Sequence, residues 1–232
     1  FGSTPVMASS CSGHMQKARR GALIVLEGLD RTGKSTQCAR LVADLQKSGK
    51  KAEAWRFPDR STPLGKIIGD YLSNTKELDD HAIHLLFSAN RWEKRVEMLS
   101  KLNEGVTLVV DRYAFSGVAF SSAKPNLSFD WCKKPDVGLP KPDLVCFLQA
   151  DPEVLKARGG YGEERYEKED FQIKVAKRYA ELEDDTWVRI DAGDSPDAVA
   201  AKRRSVVEER TAHLSEDIGK LWCEKVPLEQ SN

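Results

Sequence analysis

The sequence has 232 residues, and its 36 lysine and arginine residues are balanced by 36 aspartate and glutamate residues, so the formal net charge is zero. A chain of this length forms one large domain or two small ones. Zero net charge argues against a general nucleic-acid coat protein, which would be basic. The apolar run at residues 22–26 is far shorter than the roughly 20 residues of a membrane helix. Neither nucleic acid nor a membrane is therefore an expected partner.

The five cysteines are odd in number and form no C-x-x-C pair, so the sequence signals neither a disulfide framework nor a zinc site. Unpaired thiols fit a reducing compartment, and we expect a cytoplasmic protein, with a nuclear or mitochondrial pool left open. Residues 1–17 are polar and lack an apolar period, which is typical of a disordered leader or an artificial remnant.

In chain order, the first predicted elements are a strand, a glycine-bearing turn and a helix. Residues 22–26 are apolar and β-branched, as in a parallel strand buried on both faces. Between residues 35 and 48, apolar side chains recur on one face of a helix, and Gly49 is placed to end that helix. A second strand is predicted over residues 52–57.

The middle of the chain continues this alternation. Thr62 and Pro63 form a helix start, with threonine as the N-cap and proline in the first turn. Apolar residues at helical spacing predict one long helix over residues 81–102, and residues 106–110 form a third apolar strand. The stretch 124–142, rich in proline, lysine and aspartate, is predicted to be only weakly organised.

Two more strands and two more helix starts follow. The strands are predicted over residues 144–148 and 187–190, and helices begin at Asp151-Pro152 and Ser195-Pro196. Strands that alternate with helices build a parallel sheet with right-handed crossovers. The predicted fold class is therefore α/β, with a five-stranded parallel sheet flanked by helices.

The sharpest motif is the segment 28–35, which matches the pattern G-x-x-x-x-G-K-[ST] of a phosphate-binding loop. It follows a predicted buried strand and opens a predicted helix, which is the context that such a loop requires. Gly28 and Gly33 permit a close approach of the backbone to a phosphate. Lys34 would reach the β- and γ-phosphates, and Ser35 would offer its hydroxyl to Mg²⁺.

A carboxylate follows the third predicted strand, because Asp111 comes directly after residues 106–110. P-loop proteins hold Mg²⁺ with an aspartate of this kind. Ligands of open α/β sheets bind at the carboxyl ends of the strands, which is where Asp111 would lie. The predicted metal ligands are Ser35 and Asp111.

Several strings along the chain resemble, in the same order, those of the thymidylate kinase family of the eukaryotic type. The most specific are F-S-A-N-R-W-E at residues 87–93 and D-R-Y-A-F-S-G at residues 111–117. Further matching segments are 27–36, 56–60, 85–86, 138–143, 164–167 and 171–172. In this resemblance, Arg31 marks the subtype whose P-loop itself supplies the catalytic arginine.

The resemblance implies the fold of P-loop nucleoside monophosphate kinases. It implies a kinase domain over residues 18–213 with a lid at about 158–170, and a C-terminal helix or tail over residues 214–232. The implied reaction is transfer of the γ-phosphoryl group of ATP to dTMP, giving dTDP and ADP for dTTP synthesis. Mg²⁺ is the implied cofactor, and a homodimer is the implied assembly.

The same resemblance implies the roles of individual residues. The residues expected at ATP are Gly28, Leu29, Asp30, Arg31, Thr32, Gly33, Lys34, Ser35, Thr36, Arg158, Asp194 and Ser195. The residues expected at dTMP are Asp30, Phe57, Arg60, Phe87, Arg91, Arg112, Ser116, Gly117, Phe120, Tyr166 and Gln172. The residues expected to act in catalysis are Lys34, Arg31, Asp30 and Arg112.

Within the implied acceptor site, Phe87 would stack on thymine and Arg91 would bind its edge. Arg60 and Arg112 would clamp the dTMP phosphate, and Tyr166 would crowd the 2′ position against ribonucleotides. Phe87 and Arg91 are also four residues apart on a predicted helix, so both lie on the same face.

Two alternative functions stay open on the residues. Another pyrimidine (deoxy)nucleotide kinase or a deoxynucleoside kinase would share the fold, although a nucleoside acceptor would not need both Arg60 and Arg112. A nucleotide-binding module without enzymatic activity would share the P-loop. A GTPase switch is disfavoured because the sequence has no [NT]-K-x-D guanine motif.

Overall fold

The structure is a computed structural model that describes residues 19–158, 165–166 and 168–223. Its elements in chain order are β1 (Leu23–Gly28), α1 (Lys34–Lys47), β2 (Ala52–Arg56), α2 (Pro63–Leu72), α3 (Asp80–Trp92), α4 (Arg95–Asn103), β3 (Thr107–Asp111), α5 (Ala114–Ser122), α6 (Phe129–Lys133), β4 (Leu144–Gln149), α7 (Pro152–Ala157), α8 (Glu169–Ala180), β5 (Trp187–Asp191) and α9 (Pro196–Thr211). A short 3₁₀ turn, Lys134–Asp136, follows α6.

The five strands form one parallel sheet in the order β2-β3-β1-β4-β5, which confirms the predicted α/β class. β1 lies at the centre and is buried along its whole length. Leu23 and Val25 pack into the core on one face of the sheet, and Ile24 and Leu26 pack into the core on the other. The continuous apolar run thus reflects a strand that is covered on both faces.

Helices cover both faces and bring two strand ends to the same edge. α1 and α9 pack together on one face, whereas α5 packs against α8 on the other. Because all strands are parallel, the loops after β1 and β3 emerge side by side at the carboxyl edge of the sheet. That edge holds the P-loop and Asp111.

The predicted long helix over residues 81–102 is wrong, because the chain forms two helices. α3 ends at Trp92 and α4 begins at Arg95. The side chains at the junction bind the loop before α2: Glu93 accepts a hydrogen bond from Thr62 at 2.7 Å, and Lys94 lies 3.4 Å from Asp59. The apolar spacing runs through this break, so the periodicity alone did not reveal it.

The stretch 124–142 is also better ordered than predicted. It contains α6 and the 3₁₀ turn, and its Leu127, Cys132 and Leu139 are buried. Backbone hydrogen bonds join residues 138–141 to residues 219–221. This order comes from contacts with residues far along the chain, which local composition does not report.

Other predictions lie partly outside the described residues. These are the leader 1–17, residues 159–164 and 167 of the lid, and residues 224–232 of the tail. Within the described part of the tail, Leu221 is buried and the Trp222 ring contacts Phe115 with ring centroids 5.7 Å apart. No helix in the described part of the chain is both long and apolar enough to cross a membrane.

Candidate active site

The loop after β1 has the backbone geometry of a phosphate cradle. Gly33 adopts a φ of 86° and is the N-cap of α1, so the first N–H groups of α1 face the loop. A Cβ at Gly28 would lie 2.2 Å from the carbonyl oxygen of Leu148 on the neighbouring strand β4. Only glycine fits there, and the loop can therefore leave β1 close to the sheet edge.

Lys34 is buried within this loop. Its Nζ donates to the carbonyl oxygen of Leu29 at 2.6 Å and to Thr32 Oγ1 at 3.3 Å. Burial and, to a smaller extent, the nearby charge of Arg112 lower the pKa of Lys34 to about 8, although Asp30 and Asp111 oppose the shift. An arriving phosphate group would favour the charged form of this amine.

Ser35 and Asp111, the predicted metal ligands, lie next to each other. The hydroxyl of Ser35, in the first turn of α1, donates to Asp111 Oδ2 at 2.5 Å at the end of β3. Both atoms are hard oxygen ligands of the kind that Mg²⁺ prefers. The described residues contain no cluster of three or more metal-binding side chains. A cation held here would therefore need phosphate oxygens and water to complete its coordination.

Arg112 and Asp30 form an ion pair where the P-loop meets α5. Arg112 Nη1 also donates to Ser116 Oγ at 3.1 Å, and Gln172 Nε2 donates to Asp30 Oδ2 at 2.9 Å. Burial alone would raise the pKa of Asp30, but the charges of Arg112 and Lys34 outweigh it and the pKa is lowered. Asp30 is therefore an ionised acceptor that holds Arg112 at the edge of the loop.

Glu27, the last residue but one of β1, is a buried carboxylate that the sequence analysis missed. It accepts hydrogen bonds from the backbone N–H of Tyr113 at 2.8 Å and of Ser116 at 3.1 Å. Its second oxygen accepts from Ser116 Oγ at 2.6 Å and from the Tyr179 hydroxyl at 3.0 Å. Burial raises its pKa, whereas the hydrogen bonds from Ser116 and the charge of Arg112 oppose that shift.

A single pocket opens beside the P-loop and collects the predicted acceptor residues, with the exception of Gln172. The predicted residues that line it are Asp30, Phe57, Arg60, Phe87, Arg91, Arg112, Ser116, Gly117, Phe120 and Tyr166. Gln172 lies behind this wall and donates to both Asp30 and the carbonyl oxygen of Tyr166. Arg56, Pro58, Leu72, Tyr113 and Ser121 also line the pocket, and the sequence analysis did not assign them to it.

The pocket is lined by both cationic and aromatic side chains. Asp30 and Arg112 lie at the P-loop end, and the Arg112 guanidinium lies over the Phe120 ring, 5.2 Å from its centroid. Phe87 and Arg91, one turn apart on α3, lie at the other. Tyr166 stacks on Phe171 with ring centroids 5.3 Å apart and an interplanar angle of 16°. The arrangement suits a ligand with a flat ring and an anionic group.

Arg91 is held by a residue that the sequence analysis did not single out. Asp136, in the 3₁₀ turn after α6, accepts hydrogen bonds from Arg91 Nε at 3.0 Å and Nη2 at 2.7 Å. Its place in a stretch without periodicity, outside the segments that carry the family resemblance, gave no signal.

On the other side of the P-loop, Arg158 bridges two backbone segments. It donates to the carbonyl oxygen of Arg31 at 3.0 Å and to that of Ala192, just after β5, at 2.5 Å. Asp194 pairs with Lys202 at 2.7 Å, and Ser195 caps α9. Thr36 is exposed in the first turn of α1. These predicted ATP-side residues thus border the P-loop opposite the acceptor pocket.

A phosphate cradle lies on one side of Asp30 and a cation-rimmed pocket lies on the other. Together with the five-stranded parallel sheet, this arrangement defines the class of P-loop nucleoside monophosphate kinases.

Comparison with known proteins narrows this class. The family model described as thymidylate kinase matches residues 26–202. The chain is 55% identical to thymidylate kinase of Danio rerio over 208 residues, covering 88% of this chain and 98% of that protein. It is 53% identical to thymidylate kinase of Homo sapiens over 210 residues, covering 88% and 99%. A solved thymidylate kinase from Candida albicans matches with a TM-score of 0.80 and 40% identity, covering 87% of this chain and 98% of that one. The chain belongs to the thymidylate kinase family.

Proposed function

We propose that this enzyme transfers the γ-phosphoryl group of ATP to dTMP, giving dTDP and ADP, with the thymine at the Phe87 end of the acceptor pocket. The observation that carries the proposal is the pocket itself, in which an aromatic ring and an arginine fork lie at one end and Arg112 lies at the P-loop end. The relatives named thymidylate kinase support the same acceptor.

In this arrangement catalysis is mainly positioning and charge stabilisation. The acceptor oxygen of dTMP is already ionised, so the transfer needs no strong general base. Arg60 and Arg112 would hold the dTMP phosphate, while Asp30 orients Arg112 through their ion pair. Lys34 and Arg31 would neutralise negative charge at the transferring group.

We further propose that Mg²⁺ is held by Ser35 and Asp111 together with phosphate oxygens of ATP. The support is the contact between the Ser35 hydroxyl and the Asp111 carboxylate at the mouth of the P-loop. Held by these residues, the ion would neutralise negative charge on the phosphate groups. Arg56 lies 3.8 Å from Asp111 and adds to the local positive potential.

An acceptor panel tests the proposed function. Purified enzyme with ATP and Mg²⁺ is offered dTMP, dUMP, dCMP, UMP, CMP and thymidine, and ADP release is measured. We expect dTMP to give the highest kcat/KM and the Lys34→Ala variant to lose turnover by a factor of about 10² or more while it stays folded. Turnover of UMP or CMP equal to or above that of dTMP would contradict the proposal.

The panel also separates the remaining alternatives. A deoxynucleoside kinase would prefer thymidine to dTMP. The presence of both Arg60 and Arg112 in the wall of one pocket argues against thymidine as the acceptor, because a nucleoside has no phosphate for them to bind. A binding module without activity would bind ATP but release no ADP in response to any acceptor.

We also propose that two copies of the chain associate through α3 and α4. Leu85, Trp92 and Val96 recur at intervals of seven and four residues and are 47%, 36% and 75% exposed, respectively. Leu85 and Trp92 lie on α3 and Val96 lies at the start of α4, and exposed apolar groups on two successive helices are typical of an interface. Light scattering would give a dimer mass for the wild type and a monomer mass for Val96→Glu, and a monomeric wild type would contradict the assembly.

We propose a cytoplasmic location for the enzyme. The support is chemical: Cys38, Cys132, Cys146 and Cys223 are all free thiols in the described residues. Free thiols are typical of a reducing compartment. Imaging of a tagged chain would test this location, and signal confined to an organelle would contradict it.

A further inference from the structure

A buried ion pair lies behind the base end of the acceptor pocket. Arg91 donates to both oxygens of Asp136, from Nε at 3.0 Å and from Nη2 at 2.7 Å, and the two side chains are only 3% and 0% exposed. Ser88, one turn before Arg91 on α3, donates a third hydrogen bond to Asp136 Oδ1 at 2.8 Å. The carboxylate is therefore fixed from two positions on one helix.

This geometry determines which donors of Arg91 are left for a ligand. The guanidinium has five N–H groups, and Asp136 engages one on Nε and one on Nη2. The remaining donors lie on Nη1 and Nη2, at the edge that faces α5. A Cβ at Gly117 would lie 2.7 Å from Nη2 and 3.1 Å from Nη1, so Gly117 leaves the space that the guanidinium occupies. Arg91 and Gly117 both line the pocket.

We infer that Asp136 is a positioning residue that fixes the Arg91 guanidinium to recognise a pyrimidine with a carbonyl oxygen at position 4. This inference rests on the proposed placement of the dTMP base at Phe87 and Arg91. A guanidinium has donors and no acceptor, so it can bind a 4-carbonyl oxygen but not a 4-amino group. Asp136 makes that discrimination strict, because turning the guanidinium away would leave a buried carboxylate unpaired.

A role in stability alone does not account for this pair. A buried ion pair contributes little net stability compared with apolar packing, because both charges lose their hydration. The pair also joins a pocket-lining residue of α3 to the turn after α6, two segments that lie 45 residues apart in the chain. The Arg91 guanidinium is therefore held by a residue outside its own helix.

The chain offers a matched control at the opposite edge of the sheet. Arg20 donates to both oxygens of Asp143 at 2.8 and 2.7 Å, so this pair has the same forked geometry. Asp143 precedes β4 and accepts from the backbone N–H of Leu23, and neither residue lines the acceptor pocket. Loss of that carboxylate should affect folding without affecting the choice of base.

The test compares Asp136→Asn, Arg91→Ala and Asp143→Asn with the wild type in steady-state kinetics with dTMP and dCMP. For Asp136→Asn we expect the KM for dTMP to rise about tenfold, because a charge-assisted hydrogen-bond network is lost. The preference for dTMP over dCMP in kcat/KM should fall by a similar factor, while the KM for ATP stays within about twofold. Asp143→Asn should change neither the preference nor the KM for dTMP.

The outcomes separate this inference from the proposed base site. If Arg91→Ala leaves the KM for dTMP unchanged, the base does not lie at Arg91 and the proposed placement fails. If Arg91→Ala weakens dTMP but Asp136→Asn changes neither the KM nor the base preference, only the role of Asp136 is overturned. Should Asp136→Asn not fold, Ser88→Ala removes one restraint on the carboxylate and should shift the preference about threefold. An unchanged preference in Ser88→Ala would then overturn the inference.

Discussion

Glu27 in β1 caps the N-terminus of α5 through the backbone N–H groups of Tyr113 and Ser116. α5 has no cap from its own N-cap side chain, since Tyr113 supplies none. The residue that precedes the P-loop thus fixes the helix that lines the acceptor pocket. The donor and acceptor sides of the site are thereby joined by one buried carboxylate.

This cap predicts different consequences for two replacements of Glu27. Glu27→Ala leaves two buried N–H groups without an acceptor and should lower the free energy of unfolding by about 3 kcal/mol or more. Glu27→Gln keeps one oxygen for those N–H groups, and its amide can donate to the Ser116 and Tyr179 hydroxyls. Urea unfolding should therefore show a much smaller loss for glutamine than for alanine, and equal losses would disprove the capping role.

From the lowered pKa of the buried Lys34 amine, we predict that the enzyme takes up a proton when ATP binds. Burial lowers the pKa of Lys34 to about 8 in the free enzyme, so about half of the molecules carry the neutral amine at that pH. The phosphates of ATP favour the ammonium form and raise the pKa, so binding at pH 8 should take up a proton. Calorimetry in buffers of different ionisation enthalpy measures this uptake. Lys34→Ala should abolish it, and equal uptake in wild type and variant would assign the proton to another group.

Asp111 predicts a specific dependence on Mg²⁺. Replacement by asparagine removes the charge but retains an oxygen, so we expect the Mg²⁺ concentration for half-maximal activity to rise by about 10-fold or more. The Asp59→Asn variant is a suitable control, because Asp59 pairs with Lys94 away from the P-loop. A Mg²⁺ dependence in Asp111→Asn that matches the control would remove Asp111 from the metal site.

His84 predicts acid sensitivity of the fold. It lies fully buried between Ser121 Oγ at 2.8 Å and the carbonyl oxygen of Cys132 at 3.0 Å. Burial and, to a smaller extent, the charge of Arg91 lower its pKa to about 4. The unfolded chain takes up this proton near pH 6.5, so stability is lost as the pH falls from about 6.5 to about 4.

The loss in free energy of unfolding that is caused by protonation of His84 should amount to about 3 kcal/mol across that pH range. Urea unfolding should show a lower free energy of unfolding for His84→Gln than for the wild type at pH 7. The free energy of unfolding of the variant should, however, decline less steeply toward acid pH. His81→Gln is the matched control, because His81 is exposed on the same helix. The two variants should differ in how steeply the free energy of unfolding falls with pH. Parallel curves of this free energy against pH for His84→Gln and wild type would contradict the prediction.

Tyr166 predicts discrimination at the sugar. Its ring stacks on Phe171, and its hydroxyl donates to the Tyr71 hydroxyl at 3.2 Å, so the ring is held from two sides of the pocket wall. If it crowds the 2′ position, Tyr166→Ala should raise the kcat/KM for a ribonucleoside monophosphate relative to dTMP by about tenfold. Tyr166→Phe should retain the discrimination. If the ratio of the two kcat/KM values is unchanged in Tyr166→Ala, the sugar does not lie next to Tyr166.

Much of the sheet could be predicted because each strand is a short apolar run buried on both faces. The helix starts at Pro63, Pro152 and Pro196 were also visible, since a capping residue followed by proline is a local signal. Gly49 ends α1 as predicted, with the N–H of Lys50 bonded to the carbonyl oxygen of Leu45. These features depend on residues close together in the chain.

The features that escaped prediction depend on residues far apart. The break between α3 and α4 follows from contacts of Glu93 and Lys94 with the loop before α2. Glu27 looks like an interruption in an apolar run until the fold brings it the donors of Tyr113 and Ser116 at the start of α5 and of Tyr179 in α8. Asp136 lies in a stretch without periodicity, and only the fold brings it to Arg91.

The pairing of residues 138–141 with residues 219–221 has a practical consequence for expressing shortened forms of the chain. A version that stops where α9 ends, at Thr211, would uncover the ring of Phe115 and the side chain of Leu139. Aromatic and aliphatic side chains that become exposed to solvent in this way promote binding by chaperones and aggregation into inclusion bodies. Truncated forms made for crystallisation should therefore extend at least to Trp222.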